Sequence, residues 1–262
     1  MTIWQTVALG AIAGFTIYLG LPVARLKQRR SAAQSLLNAL ALGVLLFLTW
    51  DILSKGLDPI QNAMKSSLRS GDWGPFVSLL LMLVVGLVVG LVGLVLFHQS
   101  AVRRSPGGAH LSPQHLALMI ASGLGLHNFA EGLAIGQAAA TGAIGFALIL
   151  VIGFGLHNIT EGFAVAAPLA VARETPPWSF LGTVGLIGGG PTFLGTLVGY
   201  GVTSSLAFVL FLALAAGALV YIIGEMFAVS RNFQAPVWTA WGIVSGFLVA
   251  FGTDLILTAG GL

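Results

Sequence analysis

Long unbroken apolar stretches, each about as long as a bilayer is thick, constrain the fold of this chain more than any other feature. A helix needs roughly 20 apolar residues to cross the hydrocarbon core. The stretches at 3–23, 33–53, 75–97, 113–139, 142–169, 178–202, 205–230 and 237–259 approach or exceed that length. Backbone groups in lipid must be satisfied internally, and long continuous runs, unlike short alternating ones, specify helices. The expected fold is therefore an all-α integral membrane protein, a bundle of eight transmembrane helices, with residues 1–262 as a single transmembrane domain. Only Ala140-Thr141-Gly142 divides the fourth span from the fifth. Composition agrees: 57% of residues are hydrophobic and 7% charged, against about 25% charged in a soluble domain.

Basic residues set the expected orientation. Arg25, Lys27, Arg29, Arg30, Arg103, Arg104, Arg173 and Arg231 fall on one side of the eight spans, and Lys55, Lys65 and Arg69 on the other. The positive-inside rule then puts both termini outside the cytoplasm. The expected location is the cell membrane, as a multi-pass protein, and the inner membrane in a Gram-negative cell. The first span is not read as a secretory signal, because its first basic residue, Arg25, follows the apolar stretch instead of preceding it. Trp4, Trp50, Trp73, Trp178, Trp238 and Trp241 all fall near expected helix ends, where indoles sit at headgroup level. A net charge of +3 and a pI near 9.7 come from clusters expected to face anionic lipid, so the bilayer, not nucleic acid, is the partner read from them. The chain has no cysteine, which excludes disulfides and thiolate metal sites.

Two copies of one polar hexapeptide interrupt the apolar pattern: His127-Asn128-Phe129-Ala130-Glu131-Gly132 and His157-Asn158-Ile159-Thr160-Glu161-Gly162. Ionisable residues in hydrocarbon are costly and mark function. At about 100° per residue, His127, Asn128 and Glu131 project into one sector of a helix, as do His157, Asn158 and Glu161. The fourth and fifth helices run antiparallel, so the copies are related by a pseudo-two-fold axis, as a central, pseudo-symmetric pair whose sectors face each other. Imidazole and carboxylate together suit zinc, iron, manganese and similar divalent ions, while asparagine is a weaker oxygen ligand that fits a site which releases its cargo. The two glutamates have the reach to bridge two ions.

Interhelical hydrogen bonding is the competing account for such residues, at roughly 0.6–2 kcal/mol each. It leaves two buried glutamates without a counter-cation, since no lysine or arginine falls inside the expected spans. An intramembrane di-metal enzyme, a hydrolase or oxidase, is the alternative from another class. Against it, the chain lacks His-Glu-x-x-His, a Gly-x-Ser-x-Gly elbow and a Walker loop.

The paired His-Asn-x-x-Glu-Gly segments on the fourth and fifth of eight helices resemble the ZIP family, the zinc- and iron-regulated transporter-like proteins that move divalent metals into the cytoplasm. The resemblance implies transport of zinc, with iron, manganese or cadmium as further cargo, no resident cofactor and no enzymatic activity. It also implies a binuclear site between those helices and an elevator-like exchange of access. By resemblance the metal residues are His127, Asn128, Glu131, His157, Asn158 and Glu161, with Asp51 and Glu225 on the metal pathway. The chain departs from the family at two places: Ala130 and Thr160 replace a proline before each motif glutamate, and Gly188-Gly189-Gly190-Pro191 on the sixth helix has no carboxylate. The first departure implies less kinked helices, the second a lighter ligand set.

Smaller features carry less weight. The pairs Gly86/Gly90, Gly185/Gly189 and Gly195/Gly199 allow close helix approach, by ordinary packing, with a homodimer contact or a sliding surface as the other uses. His98, His110 and His115 read as solvated residues flanking the segment after the third span, with metal collection the less favoured reading. Asp254 has no partner visible in the sequence.

Overall fold

A computed structural model describes residues 1–26, 31–104, 112–170, 172, 174–202 and 204–259. Lys27, Arg29, Arg30, Arg173 and His110 lie outside the described residues, and so do the side chains of Arg103 and Arg104. Among the described residues the secondary structure is helical, with no strand, and eight helical segments are long and apolar enough to cross a membrane.

The first span is interrupted. α1 (Ile3–Phe15) opens on a capping box in which Thr2 Oγ1 accepts from the Gln5 amide at 3.3 Å and Gln5 Oε1 accepts from the Thr2 amide at 2.9 Å. It stops at Thr16, whose hydroxyl lies 2.6 Å from the Ala13 carbonyl and 2.7 Å from the Gly155 carbonyl. A short α2 (Ile17–Gly20) and a 3-10 turn (Leu21–Arg25) complete the span. The second span is far longer than expected: α3 (Ser31–Ser70) continues well past residue 53. Its extension carries Ile60 against Leu79 and Val209, with Ala63 packed beside them, so a second small core keeps it helical. It ends where Gly71 takes φ 77°, a conformation that glycine adopts freely. Trp50 consequently lies in the middle of a helix, not near its end.

The remaining spans are α4 (Gly74–Arg104), α5 (Pro113–Ala140), α6 (Ile144–Ala170), α7 (Trp178–Gly201), α8 (Ser205–Asn232) and α9 (Pro236–Ala259). The α5–α6 turn contains Gly142 at φ 81°, with the Ala143 amide reaching back to the Ala138 carbonyl. α5 is the most enclosed span, whereas α4 and α9 present most of their surface outward.

Glycines divide the helices into two groups. A Cβ on Gly132 would overlap the Thr192 carbonyl, one on Gly195 the Phe129 carbonyl, one on Gly14 the Gly189 carbonyl, and one on Gly20 the Ile159 carbonyl. These seams join α1, α2, α5, α6 and α7. On the other side, Gly90 abuts the Leu214 carbonyl, Gly217 the Leu87 carbonyl, Gly43 the Ile243 carbonyl and Gly246 the Leu40 carbonyl, joining α3, α4, α8 and α9. Among the described glycines, the one crossing between groups is Gly123, which meets only side chains: Ile222, Ala218 and Leu219. Backbone therefore packs on backbone along α1–α7–α5, α2–α6, α4–α8 and α3–α9, while α5 meets α8 at Gly123 and α3 meets α8 at Gly56 through side chains. The three glycine pairs singled out in the sequence are all used inside the chain.

Gly195→Val should lower stability by about 2 kcal/mol, the usual penalty of overpacking, because the Phe129 carbonyl and the Leu133 amide leave no room. Gly93→Ala, facing open space, should leave thermal unfolding in detergent at or above the wild-type temperature.

Candidate functional site

Ser112 begins the helix that carries the first motif: its hydroxyl accepts from the His115 amide at 3.2 Å, and Pro113 occupies the first helical position, where no amide hydrogen is needed. From there α5 carries His127, Asn128 and Glu131 into the middle of the bundle, and α6 returns antiparallel with His157, Asn158 and Glu161. All six side chains are buried, none more than 5% exposed.

Equivalent members of the two copies meet. Asn128 Nδ2 donates to Asn158 Oδ1 at 2.7 Å, and the His127 and His157 rings have centroids 6.2 Å apart. The pairing is not symmetric in its bonds. Asn128 Nδ2 also donates to Glu161 Oε2 at 2.7 Å and to the Gly188 carbonyl on α7 at 3.1 Å. Asn158 Nδ2 instead donates to Phe154 on its own helix at 2.9 Å. His127 Nε2 approaches both carboxylates, 3.2 Å from Glu131 Oε1 and 3.9 Å from Glu161 Oε1.

Polar atoms are left over. His127 Nε2 and Glu131 Oε1 face each other at 3.2 Å, while both ring nitrogens of His157, His127 Nδ1, Glu131 Oε2, Glu161 Oε1 and Asn128 Oδ1 are buried without a hydrogen-bond partner. Each such group costs about 1–3 kcal/mol, so their concentration in one spot points to a ligand that satisfies them. Among the described residues, no three His, Asp or Glu side chains are already gathered into a metal-holding group; the Asn128 amide sits on the Glu161 carboxylate instead. Thr160 turns its hydroxyl onto the His157 carbonyl at 2.7 Å, a backbone bond of the kind that tends to bend helices.

The two pathway residues are not part of this cluster. Asp51 on α3 is buried and holds Lys55 Nζ at 2.7 Å. Lys55 is also 3.9 Å from Asp254 Oδ1 on α9 and within electrostatic reach of Glu131. This corrects two readings: Asp254 has a partner, and a lysine does stand near a motif glutamate, because α3 stays helical past the expected end of its span. The spacing Asp51-x-x-x-Lys55, one helical turn, was the available signal. Glu225 on α8 lies 3.9 Å from His98 Nδ1 on α4, and His98 also contacts Tyr221. His98 is thus a helical residue with partners, not a solvated loop residue. His115 sits in the first turn of α5 beside the Ser112 hydroxyl.

Two neighbouring cavities open at the end where the α5–α6 turn lies, the first between the helix groups and the second within the α3–α4–α8 side. One, of about 570 Å³, is lined by Gln137, Thr141, Ser204 and Phe208. The other, of about 620 Å³, is lined by Lys55, Asp58, Asn62 and the same Phe208. Asp51 and Lys55 therefore stand between this mouth and the motif, while His98 and Glu225 lie toward the opposite end of the bundle.

Without metal, two substitutions should separate packing from ligand duty. Asn128→Leu strips the donor from Glu161, Asn158 and Gly188, and should destabilise the detergent-solubilised protein by about 3 kcal/mol. His157→Leu removes an imidazole that makes no hydrogen bond, and should leave thermal unfolding unchanged or slightly raised.

The sequence model of the ZIP zinc transporter family matches residues 98–254, more than half of the chain and all six motif residues. No curated relative matches it significantly. Members of this family are carriers of divalent metals, not enzymes, and the chain is a multi-pass membrane protein. With its doubled His-Asn-x-x-Glu-Gly motif on adjacent helices of an eight-span bundle, this chain belongs to the ZIP zinc transporter family.

Proposed function

We propose that this protein moves divalent transition-metal cations, zinc foremost, toward the cytoplasm through a site made by His127, Asn128, Glu131, His157, Asn158 and Glu161. The observation that carries the reading is the set of buried, unpartnered nitrogen and oxygen atoms on those residues. Imidazole and carboxylate are the donors zinc prefers in a protein without thiolates. The distribution of basic residues along the sequence supports a cytoplasmic face remote from the cavities, and the inward direction is the one that the family resemblance implies.

The donors belong to the helices and are buried on every side, so cargo reaches them only if something moves. The site lies wholly on α5 and α6, inside one glycine-packed group. Asp51, Lys55 and Asp254 at one end, and His98, Tyr221 and Glu225 at the other, lie on the second group. Sliding of the first group along the side-chain interface would carry the site from the first trio toward the second, with Asp51 and Glu225 flanking the path. Binding also requires Asn128 to release Glu161. Its amide oxygen, now unpaired, can turn to the cation as its nitrogen leaves the carboxylate, an exchange that keeps affinity moderate and release rapid.

Zinc uptake into proteoliposomes holding the wild-type protein should follow the zinc gradient, and Glu131→Ala and His157→Ala should each reduce it to the rate of empty vesicles. Undiminished flux in both variants would put the pathway elsewhere. No flux of any divalent metal with the wild type would overturn the reading.

A further inference from the structure

The cavity at the mouth ends on a lysine. The Lys55 side chain is 38% exposed and lines the space of about 620 Å³ together with Asp58 and Asn62. Its ammonium lies 2.7 Å from Asp51 Oδ2 and 3.9 Å from Asp254 Oδ1, and the Asp51 side chain behind it is only 6% exposed. Glu131, the motif carboxylate toward this end of α5, is within electrostatic reach of the same ammonium. A cation travelling from the cavity to the motif thus meets carboxylates that already hold a cation.

We propose that Lys55 is a tethered resident cation: its ammonium occupies Asp51 and Asp254 at rest, and an arriving divalent ion must displace it before reaching Glu131. This rests on the reading of the motif as a transport site. A lysine suits the task because its charge is a compact point on a flexible four-carbon stem, free to swing into the cavity it already faces. A divalent ion gains from the exchange, since it sets two charges against the carboxylates where the ammonium set one. A monovalent ion gains nothing, so the lysine filters by charge at the mouth. The bond it breaks is a partly exposed ion pair, whose loss is a modest toll. That toll raises the metal concentration needed for half-maximal transport and leaves the later steps alone.

Zinc uptake kinetics in proteoliposomes test this. Lys55→Met keeps the stem and removes the charge, so KM for zinc should fall about fivefold, with kcat within about twofold of wild type. Lys55→Arg should keep the wild-type KM. The chain has no cysteine, so Lys55→Cys gives a single reactive position in one folded protein. Aminoethyl methanethiosulfonate restores an ammonium there and methyl methanethiosulfonate does not; the first adduct should show the higher KM. Equal KM values for the two adducts, or an unchanged or raised KM in Lys55→Met, would overturn the proposal and leave Lys55 as a structural partner of Asp51, with the transport reading intact. Absence of zinc flux in the wild type would overturn both.

Discussion

The hydrogen bond from Asn128 to Glu161 is the contact on which the centre of this protein depends. A carboxylate between apolar helices has no water to solvate it, and its charge or its proton must be accommodated by the protein. Asn128 answers with one amide nitrogen directed at Glu161, Asn158 and the Gly188 carbonyl, tying α5, α6 and α7 together at one atom. Neutral amides suit this duty because they satisfy a carboxylate without adding a charge that would itself need burial. The arrangement leaves both ring nitrogens of His157, His127 Nδ1 and Glu131 Oε2 without a hydrogen-bond partner, the imbalance on which the proposed cation site rests.

The glycine seams give this centre its mechanical setting. Where the Gly132 and Gly195 surfaces interlock with carbonyls of the facing helix, α5 and α7 cannot slide without backbone overlap. The contact of Gly123 with Ile222 and Leu219 has no such lock, since side chains can change rotamer as they pass. Rigidity within groups and adaptable packing between them is what relative motion of two bodies demands. On the proposed transport reading, it also keeps the six motif residues in one body, where ligands divided between bodies would be pulled apart at each cycle.

Apolar run length and the spacing within each hexapeptide made the helical membrane fold and the facing of the two motifs legible in the sequence. Periodicity fixed which residues share a sector, and the short Ala140-Thr141-Gly142 break fixed that the sectors oppose. What stayed hidden depended on partners distant in sequence. The extension of α3 is held by Ile60 against Leu79 and Val209, which hydropathy at 54–70 does not reveal, so Lys55 falls outside the expected span although it lies on the same helix as Asp51. Glycine spacing announced close approach, yet not that Gly86 and Gly90 face α8 and not a second copy of the chain. The asymmetry of the two asparagines was likewise invisible, because identical motifs predict identical bonds and only the third helix, through Gly188, breaks the tie.

Packing excludes a carboxylate at one of the three consecutive glycines of the sixth span. A Cβ on Gly189 would overlap the Gly14 carbonyl, so the α1–α7 seam excludes a side chain there, whereas Gly188 and Gly190 have the movable side chains of Ile17 and Leu186 as their nearest neighbours. What α7 offers the site is a backbone carbonyl, a dipole with no net charge. The anionic donors within the motif cluster are then Glu131 and Glu161, and their two charges match one divalent cation. On the proposed transport reading, a second ion in the same low-dielectric space would lack a counter-charge from α7, which favours single occupancy.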